Sequence, residues 1–294
     1  MEQKACLALS FAGPEPDSEL LEWIEAGYVA GVVLFSDNFV SPFQLADAIA
    51  LLRETGSQPL HIMIDEEGGR VRRLPESISS MPGLSTYGKN NDAMGAAFDY
   101  AKVCRTLAGM GINTLLAPVA DVRTRHNEWL ADRIYCDNPH QVADFIAQAV
   151  RAIRQTSLAA CVKHFPGLGG VSLDLHLEHV IVEDSVRTIE ERDLVPFRAA
   201  IDAGVDMVMV SHATYRARDP ARPAVFSSTI INGLLKKHLG FSGTVLSDDL
   251  TMVAVSGLVP IEKATEQALH AGCDILLICH DRPLQRRAIQ FLSR

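Results

Sequence analysis

The stretch Ala159 to His179, AACVKHFPGLGGVSLDLHLEH, holds the pattern from which the whole chain is read. Ala159, Ala160, Cys161 and Val162 form an apolar run that meets Lys163 and His164. Pro166, Gly167, Gly169 and Gly170 then end any regular element. Apolar residues running into charge and then glycine read as a buried strand opening onto a site. The loop that follows carries Asp174 and His176, two residues apart, so in an extended segment their side chains share a face. Asp174 can then fix the tautomer of His176 and favour its protonated form, which makes a proton carrier tuned near neutrality. Two polar residues on a surface loop have the same spacing, so the pattern alone leaves both readings open.

Working outward, the same strand-then-polar pattern recurs. Apolar runs at Leu7–Phe11, Gly31–Phe35, His61–Asp65, Thr114–Val119, Ala159–Lys163, Val205–Val210, Thr244–Leu246 and Ile275–Cys279 read as eight strands. Between them, Ser18–Ile24, Pro42–Arg53, Phe98–Met110, Gln141–Gln155, Ser185–Ala203, Ser227–His238, Ile261–Ala271 and Leu284–Leu292 have helical periodicity. Ser41 is the expected N-cap before Pro42, Ser227 or Ser228 caps its helix, and Gly111 and Gly272 are expected helix stops. Pro196 is expected to kink or restart the helix that contains it. Strands without polar interruption are buried on both faces, hence parallel. Eight such units in 294 residues predict an α/β fold, a (β/α)8 TIM barrel, as a single catalytic domain over 1–294. An open doubly wound sheet is the structural alternative. No GxGxxG follows the first strand, so a dinucleotide site has little support.

Composition narrows the classes. Hydrophobic residues make up 48% of the chain, enough for one large core. A net charge of -9 argues against a nucleic-acid binder. No apolar run approaches membrane-spanning length, and the start, MEQKACLALSFAGPEPDSE, does not read as a signal peptide. None of the six cysteines forms a CxxC pair. Cys6, Cys161 and Cys279 lie in strand-like runs and read as small buried hydrophobes in a reducing compartment, so a cytoplasmic location is expected.

The polar residues gather at the carboxyl ends of the strands: Asp65 and Arg70, Asp121, Lys163 and His164, His212, Asp248 and Asp249. In a barrel these ends meet on one rim, where active sites form. Asp248, rigidly held after TVLS, can attack an anomeric carbon or stabilise an oxocarbenium ion, while Asp249 caps or supports the turn. Asp65 can take two sugar hydroxyls, and Lys163 and His164 supply donors beside a polyhydroxylated ligand. His164, His176, His179 and His212 invite a metal reading, but no early HxH pair supports it, so no metal and no cofactor are expected. A backbone nest for phosphate at Gly167 to Gly170 is a weaker alternative.

Taken together, KHFPGLG at 163–169, the Asp174/His176 pair, IDEEGGRV at 64–71 and SDDLTM at 247–252 resemble glycoside hydrolase family 3, in its bacterial β-N-acetylglucosaminidase branch. GVVLFSDNF at 31–39, APVADV at 117–122, ADRIYCDNP at 131–139, MVSHATY at 209–215 and AGCDILLIC at 271–279 fit as well, so the likeness runs from about Leu7 to Cys279. The resemblance implies a retaining double displacement with Asp248 as nucleophile, His176 as acid/base and Asp174 as its partner. It implies substrate binding by Asp65, Arg70, Arg133, Lys163, His164 and His212, with Arg70 beside the pocket and the residue after His212 in its wall. The implied substrate is terminal β-linked GlcNAc on a small carbohydrate or a muropeptide, GlcNAc-anhydroMurNAc-peptide. A β-glucosidase or β-xylosidase, a β-glycoside phosphorylase and a non-catalytic sugar-binding relative stay open. Leu168, Gly170, Val171, Ser172, Leu173 and Leu175 replace more polar residues of that branch. The apolar 168–175 loop is therefore a candidate docking surface, and Gly167, Gly169 and Gly170 are candidate hinges for its closure.

Overall fold

The computed structural model describes residues 5–172 and 178–294. Ten strands follow in chain order: β1 (Leu7–Leu9), β2 (Val29–Leu34), β3 (His61–Ile64), β4 (Thr114–Leu115), β5 (Ala159–Phe165), β6 (Ile181–Val182), β7 (Met207–Val210), β8 (Thr214–Tyr215), β9 (Thr244–Ser247) and β10 (Leu276–Ile278). Eight of them form one parallel sheet in the order β10-β1-β2-β3-β4-β5-β7-β9. The two ends of that order meet. Leu246 bridges Ile275 in parallel, and the Ser247 N–H donates to the Ile275 carbonyl at 2.9 Å. The ring is thus closed, which makes the fold a (β/α)8 barrel and removes the open-sheet alternative. β6 and β8 pair with each other outside the ring.

Side-chain alternation explains why the strands read as continuous apolar runs. Ala8, Val33, Met63, Leu116, Cys161, Met207, Met209, Leu246 and Leu277 form one buried cluster, with members from or beside every barrel strand. Their neighbours Leu7, Leu9, Val32, Leu34, Ile62, Ile64 and Val208 belong to a separate cluster shared with the helices. Each strand therefore buries both faces, one toward the barrel axis and one toward the helical layer.

Local chemistry sets most element ends. Ser41 Oγ accepts from the Gln44 N–H at 3.1 Å, with Pro42 opening the helix Pro42–Thr55. Asn138 caps Pro139–Arg154 in the same way, so that helix starts two residues before its apolar period. Ala93–Gly109 also starts early, because the Asp92 carboxylate accepts from the Gly95 N–H at 2.9 Å. Gly272, at φ +112°, stops Ile261–Ala271 where the sequence predicts. Ser227 rather than Ser228 caps the π-helix Thr229–His238, since Ser227 Oγ accepts from the Ile230 N–H at 3.2 Å. The expected strand Thr114–Val119 has a regular ladder only to Leu115. Pro118 has no N–H to give, but the Ala117 and Pro118 carbonyls accept from the Cys161 and Lys163 N–H groups at 3.2 and 3.3 Å, and Val119 bridges Lys163. Before Pro196, the helix passes through a π-turn, Ile189–Asp193, and restarts as Leu194–Asp202. That turn carries Arg192 and Asp193 toward the base of the β5 loop.

Candidate active site

The carboxyl ends of the barrel strands surround a cavity of about 390 Å³. Asp65, Glu67, Arg73, Arg133, Lys163, His164, Asp248 and Asp249 line it, beside an apolar and aromatic wall that includes Phe35, Trp129 and Met252. Asp65 follows β3, Lys163 and His164 end β5, and Asp248 follows β9. Chain segments far apart in sequence thus deliver their charges to one space.

One ion network joins the charged residues on one side of the cavity. Lys163 Nζ lies 2.6 Å from Asp65 Oδ1 and 2.6 Å from Glu67 Oε1. Arg133 donates to both oxygens of Glu67, from Nε at 2.8 Å and from Nη2 at 2.9 Å. Arg73 Nη2 reaches Asp65 Oδ2 at 3.4 Å. Burial works against the charge of Glu67, but Arg133 and Lys163 outweigh it and hold its carboxyl well below the usual carboxylate range. Burial likewise works against Lys163, and Asp65 with Glu67 outweighs it, so the ammonium pKa is raised. Glu67 and Lys163 thus stay ionised at neutral pH, and the network presents both donors and acceptors to the cavity.

The nucleophile candidate sits in a tied turn. The Asp248 N–H donates to the Val210 carbonyl at 3.1 Å, and Asp248 Oδ1 accepts from the Asp249 N–H at 2.8 Å. Asp249 Oδ1 accepts from the Thr251 N–H and hydroxyl, each at 2.9 Å, and from the Cys279 N–H at 3.3 Å. Burial raises the Asp249 carboxyl, against the pull of those donors. Cys279 also lines the cavity, but burial pushes its thiol well above the ordinary range, as burial pushes the Cys161 thiol up to about 12. Neither supplies a thiolate nucleophile at neutral pH.

Several expected site residues find their places here, and others do not. Asp65, Arg133, Lys163, His164 and Asp248 all line the one cavity. Arg70 does not. It lies at the surface, 54% exposed, with Nε 3.0 Å from Asp132 Oδ1. The arginine of that run that reaches the cavity is Arg73, whose backbone N–H is held by Glu66 Oε2 at 2.8 Å. The turn in which Gly68 bridges Val71 decides between them, and a run such as RVRR carries no periodicity that could. His212 is fully buried behind the cavity rather than in its wall. Its Nε2 lies 2.9 Å from the Asp249 carbonyl, so it braces the Asp248–Asp249 turn. Glu67, like Arg73, lines the cavity and was missed by the sequence reading. Its signal was its position two residues after Asp65, on the same face of an extended segment. Asp174 and His176 lie outside the described residues.

The described base of the β5 loop is tightly held. The Gly167 carbonyl accepts from Tyr215 Oη at 2.8 Å, the Leu168 carbonyl from Asn127 Nδ2 at 3.2 Å, and the Gly169 carbonyl from Thr124 Oγ1 at 2.5 Å. Trp129 Nε1 donates to the Val171 carbonyl at 3.2 Å. A Cβ on Gly167 would meet Asp193 Cβ at 2.6 Å, and one on Gly169 would meet Asp193 Oδ1 at 2.4 Å. Gly167 and Gly169 permit close approach of backbone to the Arg192–Asp193 turn. Leu168 and Val171 are buried, so this half of the loop offers no apolar face for docking; residues 173–175 lie outside the described residues.

A closed barrel whose strand-end carboxylates and cations surround a sugar-sized cavity defines the class: a glycoside hydrolase built on a (β/α)8 scaffold. The chain belongs to glycosyl hydrolase family 3, matching the N-terminal domain of that family over residues 3–293, in the NagZ-type β-N-acetylhexosaminidase branch. It is 37% identical over 280 residues to a β-hexosaminidase of Xylella fastidiosa (strain M23), across 93% of this chain and 83% of the relative. It superposes on a family 3 β-N-acetylglucosaminidase from Paenibacillus sp. str. FPU-7 with a TM-score of 0.94 at 33% identity, covering 98% of this chain and 56% of that one. Native NagZ from Neisseria gonorrhoeae superposes with a TM-score of 0.88 at 29% identity, covering 97% of this chain and 84% of that one. The chain thus spans about half of the Paenibacillus enzyme and most of the Neisseria one.

Proposed function

We propose that this protein is a retaining exo-β-N-acetylglucosaminidase that removes terminal β-linked GlcNAc, and that its substrate is a cell-wall muropeptide, GlcNAc-anhydroMurNAc-peptide, met in the cytoplasm. The observation that carries the reading is that Asp248 lines the same cavity as the Asp65–Lys163–Glu67–Arg133 network. A sugar whose hydroxyls engage the network then has room for its anomeric carbon beside Asp248, and the cavity is at the small end for ligand pockets, in keeping with one residue. The similarity to the Xylella β-hexosaminidase and the Paenibacillus β-N-acetylglucosaminidase supports hexosamine as that residue. The six free cysteines, five of them buried, support a reducing compartment.

In the first step the Asp248 carboxylate attacks C1 from the α face. The C1–O bond breaks as the His176 imidazolium passes its proton to the departing oxygen, and a covalent glycosyl-enzyme results. In the second step neutral His176 takes a proton from water, the water oxygen bonds to C1, and Asp248 leaves as a carboxylate. Asp174 holds the imidazole in one tautomer and stabilises its charged form.

Hydrolysis of an aryl β-GlcNAc beside the aryl β-glucoside tests the glycone, with the GlcNAc compound preferred. A 2-fluoro sugar donor should leave a covalent adduct on Asp248, found by mass spectrometry, and Asp248→Asn should abolish it. In His176→Ala the loss should be greatest for poor leaving groups, which need proton donation. No adduct and no GlcNAc release from the wild-type protein would sink the proposal.

A further inference from the structure

Asp121, at the end of the fourth barrel segment, is fully buried and has no part in the two-step reaction above. Its two oxygens face two different structures. Oδ2 lies 2.8 Å from His164 Nδ1. Oδ1 accepts from the Leu168 N–H at 2.8 Å, with the His164 N–H at 3.4 Å. On the other side of the His164 ring, Nε2 lies 3.5 Å from Arg133 Nη2.

These neighbours constrain the ring from both sides. An ionised carboxylate only accepts, and a guanidinium only donates. A neutral imidazole satisfies both in one tautomer, with the proton on Nδ1 toward Asp121 and the lone pair on Nε2 toward Arg133 and the cavity. We infer that Asp121 is a positioning residue that locks His164 as a hydrogen-bond acceptor at the cavity wall and, through Leu168, fixes the β5 loop base to the same carboxylate. A sugar hydroxyl that meets His164 Nε2 must then donate to its one lone pair in place of Arg133 Nη2. Since Lys163, the preceding residue, is a pure donor, the pair Lys163–His164 presents opposite polarities to neighbouring hydroxyls. The inference rests on the proposed role of His164 in glycone binding.

An asparagine cannot replace this carboxylate. It has one acceptor oxygen and a donor amide. It can hold either the His164 Nδ1–H or the Leu168 N–H, and its NH2 then faces the other.

Long-range 1H–15N correlation on protein labelled at histidine reads the tautomer directly, in the free protein and with no substrate. His164 should be protonated at Nδ1 and unprotonated at Nε2 at neutral pH. Protonation at Nε2, alone or with Nδ1, would overturn the inference whether or not GlcNAc is hydrolysed, so the two readings fail separately. In Asp121→Asn the His164 signals should move toward the other tautomer. The kcat/KM for aryl β-GlcNAc should fall about tenfold to a hundredfold, by the same factor for good and poor leaving groups, because glycone positioning precedes proton donation. A loss that grows as the leaving group worsens would assign Asp121 to the acid/base instead. The double variant Asp121→Asn with His164→Gln should lose little beyond His164→Gln alone, and additive losses would show that Asp121 does not act through His164. Should Asp121→Asn fail to fold, the wild-type tautomer still decides the lock.

Discussion

Glu67 grips Arg133 through both carboxylate oxygens, at 2.8 and 2.9 Å, and does so where its own side chain is 1% exposed. A bidentate pair sealed this well fixes the guanidinium plane, so Arg133 meets a ligand in one orientation.

Removing the charge of Glu67 leaves Arg133 buried without its main partner. Glu67→Gln should cost about 3 to 5 kcal/mol of stability near neutral pH, measured by denaturant unfolding. The pH dependence has a definite sign. The carboxyl is depressed in the folded protein below its ordinary value near 4.5, so its contribution is complete above that value and fades as pH falls below it. The gap between wild type and Glu67→Gln should be flat from about pH 6 to 8 and narrow below about pH 4.5.

Arg73→Ala and Arg70→Ala should separate cleanly in steady-state kinetics. Arg73 lines the cavity beside Asp65, so its loss should lower kcat/KM about tenfold or more. Arg70 is in a half-exposed pair with Asp132, and its loss should change kcat/KM by less than about threefold. The opposite ranking would return Arg70 to the pocket.

Gly167→Ala should be strongly destabilising. The residue has φ +117°, and its added Cβ would sit 2.6 Å from Asp193 Cβ. Both strain and overlap act, so a loss of about 2 kcal/mol or more is expected, seen as a Tm lower by several degrees. A hinge glycine at an uncrowded φ would tolerate alanine with little change.

Asp249→Asn should be at least as stable as wild type at pH 7. Its Oδ1 can still accept from Thr251 and Cys279, and the buried charge is gone. Here the folded carboxyl is raised above its ordinary 3.8, so the folded state binds more protons than the unfolded state above that pH, and stability falls as pH rises. The advantage of Asp249→Asn should therefore grow as pH rises from about 4 and should vanish near it. A variant less stable at pH 7 than at pH 4, relative to wild type, would reverse the sign.

The barrel was legible because its causes are local. Apolar runs such as VVL before Phe35 and MVMV before Ser211 had no polar face to lose, and the caps at Ser41 and Gly272 lay where their chemistry required. Where a proline removed a donor, as at Pro118, the strand's regular extent was not legible, since only the proline's carbonyl side stays paired to the neighbouring strand. The glycine run after Pro166 was legible as a break. Its purpose was not, because Asp193 arrives from a π-turn more than twenty residues later.

The sequence by itself determined the eight strand-and-helix units, their order, and which strand ends carry carboxylates, cations and imidazoles. Only the tertiary structure decided which of these meet. It brought Lys163 to Asp65 across 98 positions of chain, chose Arg73 over Arg70, joined Asp121 to His164 and withdrew His212 behind Asp249. The division has a physical cause. Helix, strand and cap preferences depend on residues a few places apart, whereas an ion pair depends on where barrel closure sets two strand ends and on which way each turn aims its side chains.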